Sequence, residues 1–259
     1  MDIARRFGGV SRLYGAAGLA KLQAAHICVI GIGGVGSWAV EALARNAVGT
    51  ITLIDLDNIA ESNVNRQLHA VDGVFGKAKV TAMAERIRLI NPSANVIEIE
   101  EFISIENVAT LLSDQYSGVI DCIDDAKAKA AIAHFCLSQN VPLVMTGAAG
   151  GRLDATRIKQ ADLSKVTHDK LLAKVRNLMR REYGSASGDS TKNKSLRLGL
   201  QCVYSDEESI KPQAVCDAEN STNAAITGLN CAGYGSSVCV TAPFGFIAAS
   251  LLFKQLLDM

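Results

Sequence analysis

His26-Ile27-Cys28-Val29-Ile30-Gly31-Ile32-Gly33-Gly34-Val35-Gly36-Ser37 is the stretch on which the fold turns. Its apolar, β-branched first half reads as a buried strand, and residues 37–46 after it carry apolar side chains at helical spacing. Gly31, Gly33 and Gly36 between them satisfy G-x-G-x-x-G in strand–turn–helix context. Glycines permit the tight turn and a close approach of backbone to phosphate, which the helix N-terminus attracts. Asp55, 19 positions after Gly36, ends the next apolar run, where a carboxylate can bind ribose hydroxyls.

Outward from that turn, short apolar runs at residues 27–30, 51–55, 95–100, 119–122 and 143–146 alternate with helical patterns at 37–46, 77–90, 107–114 and 126–139. This rhythm predicts an α/β fold: a Rossmann-like, doubly wound, mostly parallel sheet. The chain of 259 residues fits one such domain with insertions. With 49% hydrophobic and 20% charged residues it buries a core, which excludes disorder. Lys+Arg 26 against Asp+Glu 26 excludes a globally basic nucleic-acid protein but leaves room for a local basic face. Such a face is present, because residues 152–200 hold 12 Lys/Arg and 5 Asp/Glu. Within that stretch, residues 171–183 read as a basic helix and 184–195 as a polar loop. A solvated face and a landing strip for a polyanion both fit clustered charge of this kind.

The seven cysteines, Cys28, Cys122, Cys136, Cys202, Cys216, Cys231 and Cys239, are odd in number and contain no CxxC pair. Free, buried thiols in a reducing cytoplasm are expected, Cys231 and Cys239 included. The N-terminal MDIARRFGGVSRLYG lacks the apolar core of a signal peptide. Residues 237–253 are uncharged and mostly apolar, but Pro243 and Gly245 interrupt them and a span needs about 20 residues. A buried core strand or helix is the expectation there, with a membrane anchor as the alternative. His69 and His134 lie in helix-like contexts with packing roles.

A glycine turn with its acid suits a nicotinamide or flavin enzyme as well as one that uses ATP. Asn63, Arg66 and Gln67 of SNVNRQ, Lys79 of GKAKV and the acids of DCIDD separate these possibilities. Expelling pyrophosphate builds charge on phosphoryl oxygens, and Arg66 and Lys79 supply the cations that meet it. A carboxylate at a strand's C-terminal edge can hold Mg2+, a hard ion that bridges phosphates.

In order and spacing, RFGGVSRLYG, GIGGVGS, DLDNIAESNVNRQ, GKAK and DCIDD resemble the ubiquitin-activating-enzyme-like adenylyltransferases, which attack ATP with a carboxylate to form an acyl-adenylate. INPSANV, TGAAGGRLD with its basic insertion, and the tail at 231–246 with TAPFGF are similar to one branch of that family. That branch dehydrates threonylcarbamoyl-adenosine beside the tRNA anticodon to a cyclic form.

The resemblance implies a single adenylation domain over residues 1–259, with residues 152–200 as the tRNA contact through Lys170, Lys174, Arg176, Arg180 and Arg181. It implies ATP held by Gly31, Gly33, Gly34 and Gly36, ribose by Asp55 with Asp57 beside it, and phosphates by Asn63, Arg66, Gln67 and Lys79. Mg2+ falls to Asp124. Arg12 stands in for an N-terminal arginine that one subunit of a homodimer lends to the other, with Arg6 as the alternative. A cysteine desulfurase or sulfur-acceptor partner is implied too. Activation of a ubiquitin-like sulfur carrier at its C-terminal glycine is the rival activity, and the missing zinc cysteines oppose it. A nicotinamide oxidoreductase or a non-catalytic nucleotide scaffold would leave Arg66, Lys79 and Asp124 idle.

Overall fold

Short apolar runs make the centre of the sheet because helices cover both of its faces, so no alternation with polar residues is needed. The computed structural model describes residues 2–113, 115–184, 197–210 and 234–259. Among them, β1 (His26–Ile30), β2 (Thr50–Ile54), β3 (Asn95–Ile99), β4 (Gly118–Asp121), β5 (Leu143–Thr146), β6 (Ile158–Asp162) and β7 (Gln201–Ser205) form one sheet. Their order is β3-β2-β1-β4-β5-β7-β6, and every pairing is parallel except that of the edge strand β6 with β7. The Rossmann-like, doubly wound expectation therefore holds. Strands β4 and β5 are buried throughout, whereas the edge strand β3 is largely exposed.

The helices are α1 (Ile3–Ala24, broken at Gly15), α2 (Gly36–Arg45), α3 (Lys79–Ile90), α4 (Val108–Leu111), α5 (Ala126–Ser138), α6 (Lys170–Glu182) and α7 (Val238–Leu256). Alternate residues of each strand serve opposite cores. Val29 packs in one cluster with Leu43, Met83, Phe244 and Leu252 of α2, α3 and α7. Cys28 and Ile30 join the other, with Ile132, Cys136, Leu172 and Met179 of α5 and α6.

Two expectations change and a third is narrowed. The segment 107–114 shortens to the single turn α4, and Asp114 lies outside the described residues. Of the two forms expected for residues 237–253, a buried strand or helix, the chain adopts the helix, and α7 packs its apolar side chains on α2 and the sheet. The basic stretch 152–200 is not a simple appendage: it supplies β6, which closes the sheet, and α6, whose Leu171, Leu172, Val175 and Met179 are buried. Lys170 and Lys174 of α6 lie on its exposed faces. Of the loop expected at 184–195, only Gly184 is among the described residues.

Candidate active site

Strands β1 and β4 are neighbours whose connections run to opposite sides of the sheet, and a doubly wound fold opens a crevice at such a point. The turns after β1, β2, β4 and β5 line a cleft of about 580 Å3 there, a volume suited to a nucleotide.

Gly31 leaves β1 at φ +83°, in the left-handed region, and a Cβ on it would stand 3.0 Å from the carbonyl carbon of Cys122. Gly36 serves differently. A Cβ there would fall 1.9 Å from the Gly31 carbonyl oxygen, so this glycine lets α2 close onto the turn and does not itself face the cleft. Gly31, Gly33 and Gly34 do line it. Helix α2 has no side-chain N-cap, so the positive end of its dipole is open to an anion.

Asp55 follows β2 directly. Its Oδ2 accepts from the Ile32 N–H at 2.6 Å and its Oδ1 from the Asp57 N–H at 2.8 Å, which locks the acid to the glycine turn. Burial pushes this carboxyl up from its ordinary range, while Lys79 and the two N–H groups oppose the shift. The buried Lys79 ammonium lies 2.6 Å from Asp57 Oδ2 and 3.8 Å from Asp55 Oδ1. Gln67 is buried in the cleft wall, its Oε1 3.1 Å from His69 Nε2. Contrary to the helical expectation, His69 sits in a turn, where burial and the Lys79 charge hold its pKa down to about 4. It is neutral at physiological pH. His134 does lie on α5, its ring stacked on Tyr183.

Arg66 lines the cleft with its stem over Gly34, and its guanidinium donates to the Ser62 carbonyl and Asn65 Oδ1. Asn65 in turn donates to the Ser236 carbonyl at 2.7 Å, tying this turn to the entrance of α7. Asn63 is not brought into the cleft. Its Oδ1 accepts from the Ala60 N–H, and the side chain braces the 3₁₀ turn Glu61–Asn63.

After β4, Asp124 and Asp125 line the cleft, and Asp125 also caps α5 by accepting from the Ala128 N–H. No group of three metal-ligating side chains occurs among the described residues. The donors present fit Mg2+ bound by one or two carboxylates together with ligand phosphates, not an all-protein cage. Beneath this turn lies a pair that sequence reasoning missed. Lys129 and Asp121, both fully buried, approach to 2.9 Å. Lys129 also donates to the Asp121 carbonyl, and Asp121 Oδ1 accepts from the Ile123 N–H, so the pair sets the turn that presents Asp124. No motif flags Lys129, because only the folded register of α5 against β4 brings it to Asp121.

The end of β5 and the loop after it supply Thr146 to Gly150 and the buried Arg152. Asp169 Oδ2 accepts from the Ala148 N–H and its Oδ1 from the Leu172 N–H, joining that loop to the start of α6. Cys122 borders the cleft, but burial pushes its thiol up to about 12, which makes it a poor nucleophile.

Two expected residues stand elsewhere. Arg12 is exposed on α1 and lines no part of this chain's cleft, and Arg6 donates to the Ile90 carbonyl at the end of α3. Along α6, Arg176 is spent on the carbonyls of Leu163 and Val166 and Arg181 pairs with Glu182, whereas Lys170 and Lys174 are exposed. Cys239 is exposed in the first turn of α7, which corrects the expectation of a buried thiol, and Cys231 lies outside the described residues.

The ThiF family model matches residues 7–258. The chain is 46% identical over 257 residues to a protein of Escherichia coli (strain K12) named tRNA threonylcarbamoyladenosine dehydratase, covering 98% of this chain and 94% of that protein. It is 45% identical to its Haemophilus influenzae namesake, with the same coverage of 98% and 94%. The crystal structure of the E. coli tRNA N6-threonylcarbamoyladenosine dehydratase in complex with ATP superposes with a TM-score of 0.87 at 42% identity, covering 100% of this chain and 96% of that one.

Proposed function

The chain belongs to the ThiF family, and from that premise we propose that it is the ATP-dependent enzyme that dehydrates N6-threonylcarbamoyladenosine in tRNA to its cyclic form. One observation carries the assignment: Gly31, Gly33 and Gly34, Asp55, Arg66, Lys79 and Asp124 all converge on one cleft, in a chain alike over nearly its whole length to dehydratases.

The reaction is a carboxylate activation. The threonyl carboxylate attacks the α-phosphorus of ATP and pyrophosphate leaves. The carbamoyl nitrogen then closes onto the acyl carbon, loses its proton and releases AMP. Asp55 holds the ribose, while Lys79, Arg66 and the α2 N-terminus meet the charge that grows on the phosphoryl oxygens. These donors are preorganised, since Asp55 is already pinned to the glycine turn and Lys79 is buried against Asp57. Asp124 would hold Mg2+, which would supply positive charge to offset the negative charge of the phosphates. Ring closure within one side chain has a high effective concentration, so it needs no protein nucleophile. The raised thiol of Cys122 fits that economy.

The finer parts of the proposal rest on placement. Arg12 is exposed and lines no part of its own cleft, which suits a residue lent across a homodimer. Lys170 lines the cleft and Lys174 lies one turn on, so the phosphate backbone of tRNA would meet α6 beside the site. Two phosphate contacts, by Lys170 and Lys174, predict a slope of about −1.4 to −1.8 for log affinity against log salt. A flat salt response would remove tRNA from α6. A cysteine desulfurase or sulfur-acceptor partner would find Cys239 exposed, and the free thiols of the described cysteines suit the cytoplasm.

The test is ATP turnover with Mg2+, with and without tRNA bearing threonylcarbamoyladenosine, alongside mass spectrometry of its nucleosides. AMP release that depends on the modified tRNA, with loss of one water from the nucleoside, is the expected result. Turnover that requires a Gly-Gly carrier protein instead would transfer the assignment to sulfur-carrier activation.

A further inference from the structure

Arg152 follows β5 and belongs to the cleft wall, yet only 3% of its surface is exposed. One terminal nitrogen, Nη2, donates to the His168 carbonyl at 2.9 Å. Nε and Nη1 are buried and have no hydrogen-bond partner among the described residues. Among the described residues, no carboxylate lies within ion-pair distance of the guanidinium. Asp169, the carboxylate whose charge reaches it, has both oxygens committed to backbone N–H groups of Ala148 and Leu172. A buried cation with three unspent N–H donors is costly to keep and is normally matched by an anion.

Its position selects which anion. Along the C-terminal edge of the sheet the order is Asp55 after β2, the glycine turn after β1, Asp124 after β4, and Arg152 after β5. Neighbouring strands lie about 4.8 Å apart, which sets β5 roughly 10 Å from β1. The nucleotide fills the β2–β1 half with its phosphates against Arg66 and Lys79, and the attacking group must approach from the β5 side. That group is a carboxylate brought beside a polyphosphate, a meeting of like charges that requires a fixed cation on the acceptor's side.

We infer that Arg152 is the acceptor-carboxylate site: its free N–H donors bind the threonyl carboxylate of the modified adenosine and aim it at the α-phosphorus. This rests on the dehydratase assignment and deepens it. Guanidinium geometry matches a carboxylate through paired donors, which a lysine ammonium does not reproduce. The role is discrimination, since unmodified adenosine offers no anion there.

The experiment compares wild type, Arg152→Lys and Arg152→Gln for binding of tRNA with and without threonylcarbamoyladenosine, for ATP binding, and for tRNA-dependent AMP release. Wild type is expected to prefer the modified tRNA, and Arg152→Gln to lose about 30-fold or more of that preference while ATP binding stays within about threefold. Arg152→Lys keeps the buried charge and with it the fold. It is expected to retain at most a tenth of the preference, so the test survives if the glutamine variant fails to fold. A folded variant that still discriminates as wild type does overturns the inference and leaves the dehydratase assignment standing. Wild type that releases no AMP with modified tRNA overturns both.

Discussion

Lys129→Met removes the cation from a pair in which both side chains are fully buried, 2.9 Å apart. Breaking such a pair by deleting one partner costs about 3–5 kcal/mol, because the remaining charge is stranded without solvent. In a domain of this size 1 kcal/mol is worth about 2–4 °C, so the melting temperature should fall by about 6–20 °C. The loss should depend on pH in a specified direction. Burial raises the folded-state pKa of Asp121, and Lys129 is the chief opposing influence. Without Lys129 it rises further, and a carboxyl raised in the folded state contributes stability at low pH that is lost as pH climbs through the folded value. Differential scanning fluorimetry from pH 4 to pH 8 should therefore show a deficit that is small in acid and largest at pH 8. Neutralising the orphan with Asp121→Asn in the same chain should recover most of the loss. Turnover should fall as well, since the pair sets the turn that carries Asp124. A deficit below about 3 °C, or one that shrinks as pH rises, would refute the reasoning.

Other perturbations separate parts of the site. Gly36→Ala places a methyl 1.9 Å from a carbonyl oxygen and should destabilise the fold, whereas Gly33→Ala meets nothing nearer than Gln67 at 3.9 Å. The Gly33 variant should melt like wild type yet bind ATP at least about tenfold more weakly by calorimetry, because its methyl occupies the space of the phosphates. His69, whose folded pKa is lowered to about 4, contributes stability above pH 6.5 that is lost as pH falls toward 4, so His69→Gln should flatten that limb of the stability curve. Arg12→Ala and Lys79→Ala should each be inactive alone. Mixed and re-equilibrated, they should regain about a quarter of wild-type turnover if Arg12 acts across a dimer, since half the dimers then hold one intact site. No recovery would rule out the action of Arg12 across a dimer.

Local chemistry determined much of this protein from sequence alone. The parallel sheet was legible because a strand covered on both faces must be a continuous apolar run, and the phosphate turn because its glycines and Asp55 answer constraints within one βαβ unit. Arg66 and Lys79 stood out because paired cations suit a polyphosphate, and the family resemblance picked Asp124 from the acids of DCIDD; all three line the cleft. Where side-chain partners lie far apart in the chain, only the tertiary structure decided. Strands β6 and β7 and the depth of α6 emerged because the basic residues of 152–200 mask an apolar stripe that is buried only when the sheet is complete. Asn63, read as a phosphate ligand, turned inward to brace its own turn, and Gly36 proved a packing glycine behind the cleft. Lys129 and Arg152 carried no signal at all. A charged side chain reads as surface until the fold removes water from around it, and burial depends on what the rest of the chain brings to that point.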